Sequence, residues 1–132
     1  MLGKSDTGKK LILIVEDSAT QRTELKHILG KNGYGIGEAK SAEEALDYLS
    51  ENIPAVIITD IIMPGMDGYN LCRTIKADQR LKDIPVILLT TLSDPDDVLE
   101  GLDSGADSFM TKPYNEGFLL SRIEFILLNQ EV

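Results

Sequence analysis

Three short runs along the chain are apolar throughout: Leu11-Ile12-Leu13-Ile14-Val15, Ala55-Val56-Ile57-Ile58 and Val86-Ile87-Leu88-Leu89. A strand wetted on one face alternates apolar and polar residues. A strand covered on both faces does not, so these runs predict parallel strands sandwiched between helices. Two weaker strand candidates lie near Gly35–Glu38 and Ser108–Met110. Between the runs, apolar residues recur at helical spacing. Leu25, Ile28 and Leu29 share one side of a helix from about Ser18 to Leu29. Ala42, Ala45, Leu46 and Leu49 follow a capping box made by Ser41 and Glu44. Leu71, Cys72 and Ile75 follow Asp67, which can cap their helix. Asp94-Pro95 reads as N-cap and first turn of a helix with Val98, Leu99 and Leu102 inside and Gly105 as its stop. Asn115 opens a last helix facing inward with Leu119, Ile123, Ile126 and Leu127. The sum is five strand–helix units, which predicts a three-layer α/β domain: a five-stranded parallel sheet with helices on both faces.

Composition narrows this picture only slightly. The 132 residues suit one domain. Residues 1–10, MLGKSDTGKK, are polar and glycine-containing, and are expected to form a flexible tail ahead of a domain over 11–130. They hold no signal-peptide core, and no apolar run approaches the roughly 18 residues of a membrane span. The single cysteine, Cys72, cannot form an internal disulfide, which suits a reducing cytoplasm. A net charge of −9 disfavours direct binding of nucleic acid or contact with anionic membrane through the overall field. Gly3 to Lys9 fit most of a phosphate-loop pattern. However, Lys10 stands where a hydroxyl is required, and the stretch precedes a strand instead of following one, so the match is chance.

The candidate chemistry lies at the strand ends, because an open parallel sheet binds ligands beyond the carboxyl ends of its strands. Glu16-Asp17 end the first run, Asp60 the third strand and Thr90-Thr91 the fourth, and the fifth leads to Lys112-Pro113. Parallel strands would gather these residues on one edge. Three close carboxylates repel one another unless one is protonated or a cation joins them. Oxygen ligands without histidine or thiol suit Mg2+, or Mn2+. A carboxylate can also act as a nucleophile and become an aspartyl-phosphate, and a lysine and a threonine hydroxyl suit phosphoryl oxygens. Taken singly, each residue has a plainer reading. Asp60 could be a strand-end cap, Glu16-Asp17 a charge pair at a helix start, Lys112 a surface lysine, Thr90 a strand residue and Phe109 plain core. The constellation is what decides. Asp67 reads only as an N-cap, His27 as a solvated helix position and Cys72 as an inert core thiol.

The stretches LILIVEDS, VIITDIIMPGMDGYNL, PVILLTT and GADSFMTKPY stand in an order and separation that resemble the receiver domain of two-component response regulators over about residues 11–130. The resemblance implies a flavodoxin-like receiver fold with sheet order 2-1-3-4-5. It implies that Asp60 is the phospho-accepting aspartate, and that Glu16, Asp17, Asp60 and the Ile62 backbone carbonyl bind the metal. Thr90 resembles the switch hydroxyl, Lys112 the lysine that pairs with the phosphoryl group, Pro113 the family's cis-proline and Phe109 the switch aromatic. There are departures: Glu16 replaces the first of two aspartates, Phe109 lacks the hydroxyl of the frequent tyrosine, and Thr91 replaces a small residue. The implied activity is acceptance of a phosphoryl group from the phosphohistidine of a histidine kinase or phosphotransfer domain. The surface of helix 4, strand 5 and helix 5 would then change its affinity for an output partner or a second copy of the chain. This makes the domain a phosphoacceptor, not a turnover enzyme, although it could sit within a larger histidine kinase. Ile62 and Leu92, both apolar, are expected to flank the phosphoryl group and exclude the attacking water.

Three rival readings have discriminating features. A flavin carrier needs a hydroxyl- or glycine-rich phosphate loop after strand one, where Glu16-Asp17 stand. A haloacid-dehalogenase-like phosphatase needs a second aspartate two residues after the nucleophile, where Ile62 stands, and takes its nucleophile from strand one. A phosphorylation-independent docking module fits poorly with a site whose chemical positions are all filled. The sequence ends after its fifth helix with no output segment. The stretch SDPDDVLEGLDSGADSFMTKPYNEGFLLSRI resembles receivers attached to sensor histidine kinases, so a module of a hybrid kinase is the expectation.

Overall fold

The computed structural model describes residues 9–130. Most of the expected tail, and most of the Gly3 to Lys9 stretch, lie outside that range. The elements alternate strictly: β1 (Leu11–Val15), α1 (Ala19–Lys31), β2 (Gly35–Ala39), α2 (Ala42–Leu49), β3 (Val56–Thr59), α3 (Gly68–Ala77), β4 (Val86–Thr90), α4 (Pro95–Asp103), β5 (Ser108–Thr111) and α5 (Glu116–Gln130). All neighbouring strands pair parallel, in the order β2-β1-β3-β4-β5. The reversal between β1 and β3 is the topological switch point of such a sheet.

The unbroken apolar runs become β1, β3 and β4, the three central strands, and their side chains alternate between two separate cores. Ile12, Ile14, Val56, Ile58, Ile87 and Leu89 meet Leu25 and Leu29 of α1 and Leu119 and Ile123 of α5. Leu13, Val15, Ile57 and Leu88 face the other way, onto α2 and α3 through Ala45, Leu49, Leu71 and Ile75. The weaker runs are the edge strands.

Helix starts follow the polar signals. The Gln21 N–H donates to Ser18 Oγ at 3.3 Å, Asn70 N–H to Asp67 Oδ1 at 2.9 Å and Phe118 N–H to Asn115 Oδ1 at 2.9 Å. At α2 the Glu44 N–H donates to Ser41 Oγ at 3.0 Å, but Glu44 Oε1 accepts from the Lys40 N–H at 2.8 Å and not from Ser41 itself. The clasp therefore reaches one residue further back than a capping box. Gly105, at φ +92°, follows α4 in the left-handed conformation that glycine accommodates freely.

Two glycines set how closely elements approach. A Cβ on Gly68 would lie 2.2 Å from the Asp60 carbonyl oxygen and 2.8 Å from Ile61 Cα. Only a residue with no side chain lets the start of α3 rest on the backbone at the end of β3. On α4, a Cβ on Gly101 would lie 2.8 Å from the Phe109 ring and 3.2 Å from a Leu88 methyl. The helix thus docks through Gly101 and its C-cap Ser104, both buried, while Leu99 and Leu102 are 61% and 64% exposed. This corrects the expected inner face of α4: close approach at Gly101 fixes the rotation of the helix and turns Leu99 and Leu102 outward.

Candidate functional site

Register brings the acids level. Val15 pairs with Thr59, and the Asp60 N–H donates to the Val15 carbonyl at 3.1 Å, so Glu16 and Asp60 leave adjacent strands side by side. Thr90 pairs with Thr111, and the Lys112 N–H donates to the Thr90 carbonyl at 2.7 Å, which carries Lys112 to the same edge. The Lys112–Pro113 peptide bond is cis.

Glu16 is buried and held at every polar atom. Its N–H donates to the Ala39 carbonyl at 3.0 Å, and its own carbonyl accepts from Arg22 Nη1 at 2.8 Å. Oε2 accepts from the Ser18 N–H at 3.0 Å, and Oε1 from Lys112 Nζ at 2.8 Å. Lys112 Nζ donates further to Asp60 Oδ2 at 3.0 Å and to the Gln21 side-chain oxygen. Asp60 Oδ1 accepts from the Ile61 N–H at 2.6 Å, and the Thr59 hydroxyl bonds the Asp60 carbonyl at 2.8 Å. Asp17, by contrast, is exposed.

Burial alone would lower the pKa of the Lys112 ammonium. Hydrogen bonds to Glu16 and Asp60, with the charges of both, outweigh that and raise it above its ordinary value. One cation therefore sits between two carboxylates in a partly dry pocket, where removing one member strands the others.

One carboxylate oxygen from each of Glu16, Asp17 and Asp60 lies within 4.8 Å of the others. The donors are all oxygen and Asp17 opens to solvent, so the residues present fit a hard divalent cation that keeps part of its water. Thr90 is fully buried, and its Oγ1 accepts from the Leu92 N–H at 3.3 Å. Ile62 is 57% exposed, whereas Leu92 is half-buried and packs against the core on the α2–α3 side of the sheet. Phe109 is half-buried against the same core. His27 is exposed and Cys72 is buried, as a solvated position and a core thiol require.

Three participants carried no signal in the sequence reading. Arg22 and Gln21 reach the site from the first turns of α1, and Gly68 makes room beneath Asp60. A glycine one residue past the Asp67 N-cap was visible, but its partner across the fold was not.

A family model described as the response regulator receiver domain matches residues 12–124. The chain is 44% identical over 122 residues to "Histidine kinase P4" of Formosa agariphila, which covers 92% of this chain and 9% of that protein. It is 38% identical over 120 residues to "Transcriptional regulatory protein AfsQ1" of Streptomyces coelicolor, covering 91% of this chain and 52% of that one. The chain thus spans about half, or much less, of these relatives. A crystal structure of the signal receiver domain of a signal transduction histidine kinase from Syntrophus aciditrophicus superposes with a TM-score of 0.86 at 49% identity, covering 91% of each chain.

Proposed function

The chain belongs to the response regulator receiver domain family of two-component signalling, and on that premise we propose that Asp60 accepts a phosphoryl group from the phosphohistidine of a histidine kinase or phosphotransfer domain. The observation that carries this reading is the convergence of Asp60, Glu16, Asp17 and Lys112 on the switch-point edge of the sheet. In the reaction a carboxylate oxygen of Asp60 attacks phosphorus, a P–O bond forms, and the P–N bond to the donor imidazole breaks.

Glu16, Asp17 and Asp60, with the Ile62 carbonyl, would hold Mg2+, which neutralises charge on the phosphoryl oxygens and lets an anionic donor approach three carboxylates. Lys112, already 3.0 Å from Asp60 Oδ2, pairs with a phosphoryl oxygen once Asp60 is esterified. The added charge of about −1.5 to −2 gives the Thr90 hydroxyl a strong acceptor. Thr90 moving toward it leaves room that Phe109 fills. Because the Phe109 ring packs against Gly101, that motion alters the support of α4. The surface of α4, β5 and α5 then binds its partner, or a second copy, with a different affinity, as a two-state equilibrium biased by one covalent group. The likeness to receivers of histidine kinases supports placing this domain within a hybrid kinase chain.

The test is transfer. A phosphorylated histidine-bearing domain should lose its label to the wild-type chain with Mg2+ present. EDTA should stop the transfer, and Asp60→Asn should take up none. A chain that binds the donor domain but acquires no label would overturn the reading in favour of a docking module.

A further inference from the structure

Arg22, on α1, links β2 to the acid loop that follows β1 without touching an acidic side chain of the site. Its side chain is 15% exposed. Nε donates to Glu38 Oε1 on β2 at 3.2 Å, while Nη1 donates to the backbone carbonyl of Glu16 at 2.8 Å. Glu38 is held in turn by Lys26 Nζ, 2.8 Å from its other oxygen. The guanidinium is a rigid planar fork, so fixing one nitrogen on Glu38 fixes the direction of the other. The carbonyl it holds belongs to the peptide joining Glu16 to Asp17. Glu16 needs little further positioning, since Ser18 and Lys112 bind its carboxylate. The Asp17 carboxylate has no hydrogen-bond partner among the described residues, so the backbone, which fixes its Cα–Cβ direction, is what limits where it can reach.

We infer that Arg22 is a positioning residue for the cation site: by clamping the Glu16 carbonyl against Glu38 it orients the Glu16–Asp17 peptide and so aims the Asp17 carboxylate at Glu16 and Asp60. This rests on the reading of those three acids as a Mg2+ site. A clamp of this kind has an electrostatic consequence of the wrong sign. Arg22 is a positive charge near a cation site, so through charge alone its removal would tighten Mg2+ binding. As an outer support that orients a ligand, its loss should weaken binding by about 10–100-fold.

The experiment is calorimetric titration of Mg2+ into wild type, Arg22→Gln and Arg22→Lys, with each apo protein's melting curve followed by circular dichroism. Both variants should bind Mg2+ at least about tenfold more weakly. Arg22→Lys is included because it keeps the charge and loses only the fork. Unchanged or tighter binding in folded variants would overturn the inference, as would a lowered melting temperature with an unaltered Mg2+ affinity. If Arg22→Gln does not fold, Arg22→Lys decides alone. A wild type that binds no Mg2+ would overturn the cation reading and the inference with it, whereas a wild type that binds and variants that match it overturn the inference only.

Discussion

Glu16 and Asp17 are neighbours in sequence but meet opposite environments. Glu16 is 2% exposed and saturated with donors, while Asp17 faces solvent. One acid is thus fixed by Lys112 and Ser18, while the other carboxylate is open to water. The same asymmetry separates the two apolar residues expected to flank the phosphoryl group. Ile62 is 57% exposed. Leu92 is partly committed to core packing. Replacing both by polar residues, Ile62→Asn with Leu92→Gln, should shorten the lifetime of the aspartyl-phosphate, with Ile62→Asn alone supplying most of the effect. The decay of phosphorylated protein after removal of the phosphodonor measures this. An unchanged lifetime in the double variant would remove water exclusion from the account.

At the scale of elements, the site depends on how closely α3 rests on β3. Gly68 permits that approach, and its N–H donates to the Ile61 carbonyl at 2.8 Å. In Gly68→Ala the new methyl would overlap the Asp60 carbonyl, a backbone atom that no rotamer change can move. The expected cost is up to about 3 kcal/mol, the upper range of overpacking, measured by urea unfolding. A loss within about 0.5 kcal/mol, normal for a surface change, would contradict the close-packing account. The strands were legible in the sequence because burial on both faces leaves an unbroken apolar signature. The strand-end acids were legible because the parallel sheet places them by topology. The face of α4 was not, since periodicity weighs large apolar residues such as Leu99 and Leu102. The helix docks instead by its closest backbone approach, at Gly101. Arg22 was not legible either, because a hydrogen bond to a main-chain carbonyl leaves no mark in residue type or spacing.

For the whole molecule, the proposed cation site would link folding to cation binding. Folding assembles three carboxylates on a chain with net charge −9, so a cation that binds only the folded state must stabilise it. With Mg2+ at about 100 times its dissociation constant, the gain should be about 2.7 kcal/mol, seen as a rise of several degrees in melting temperature that EDTA reverses. Asp17→Asn, which removes an exposed carboxylate of the proposed cation site and disturbs no hydrogen bond of the core, should keep the apo melting temperature and lose most of the Mg2+ response. An equal response in wild type and Asp17→Asn would place the cation elsewhere. No helix among the described residues is long and apolar enough to cross a membrane. The chain spans 9% of one histidine kinase relative and 52% of one transcriptional regulator.

Phosphorylation at Asp60 is read out by intact mass spectrometry after incubation with acetyl phosphate and Mg2+. Wild type should gain the mass of one phosphoryl group, lose it under mild alkali as an acyl phosphate does, and gain nothing when EDTA is present. Asp60→Asn should gain nothing under any of these conditions. A wild type that stays at its unmodified mass, or an Asp60→Asn variant that gains the same group, would contradict the account.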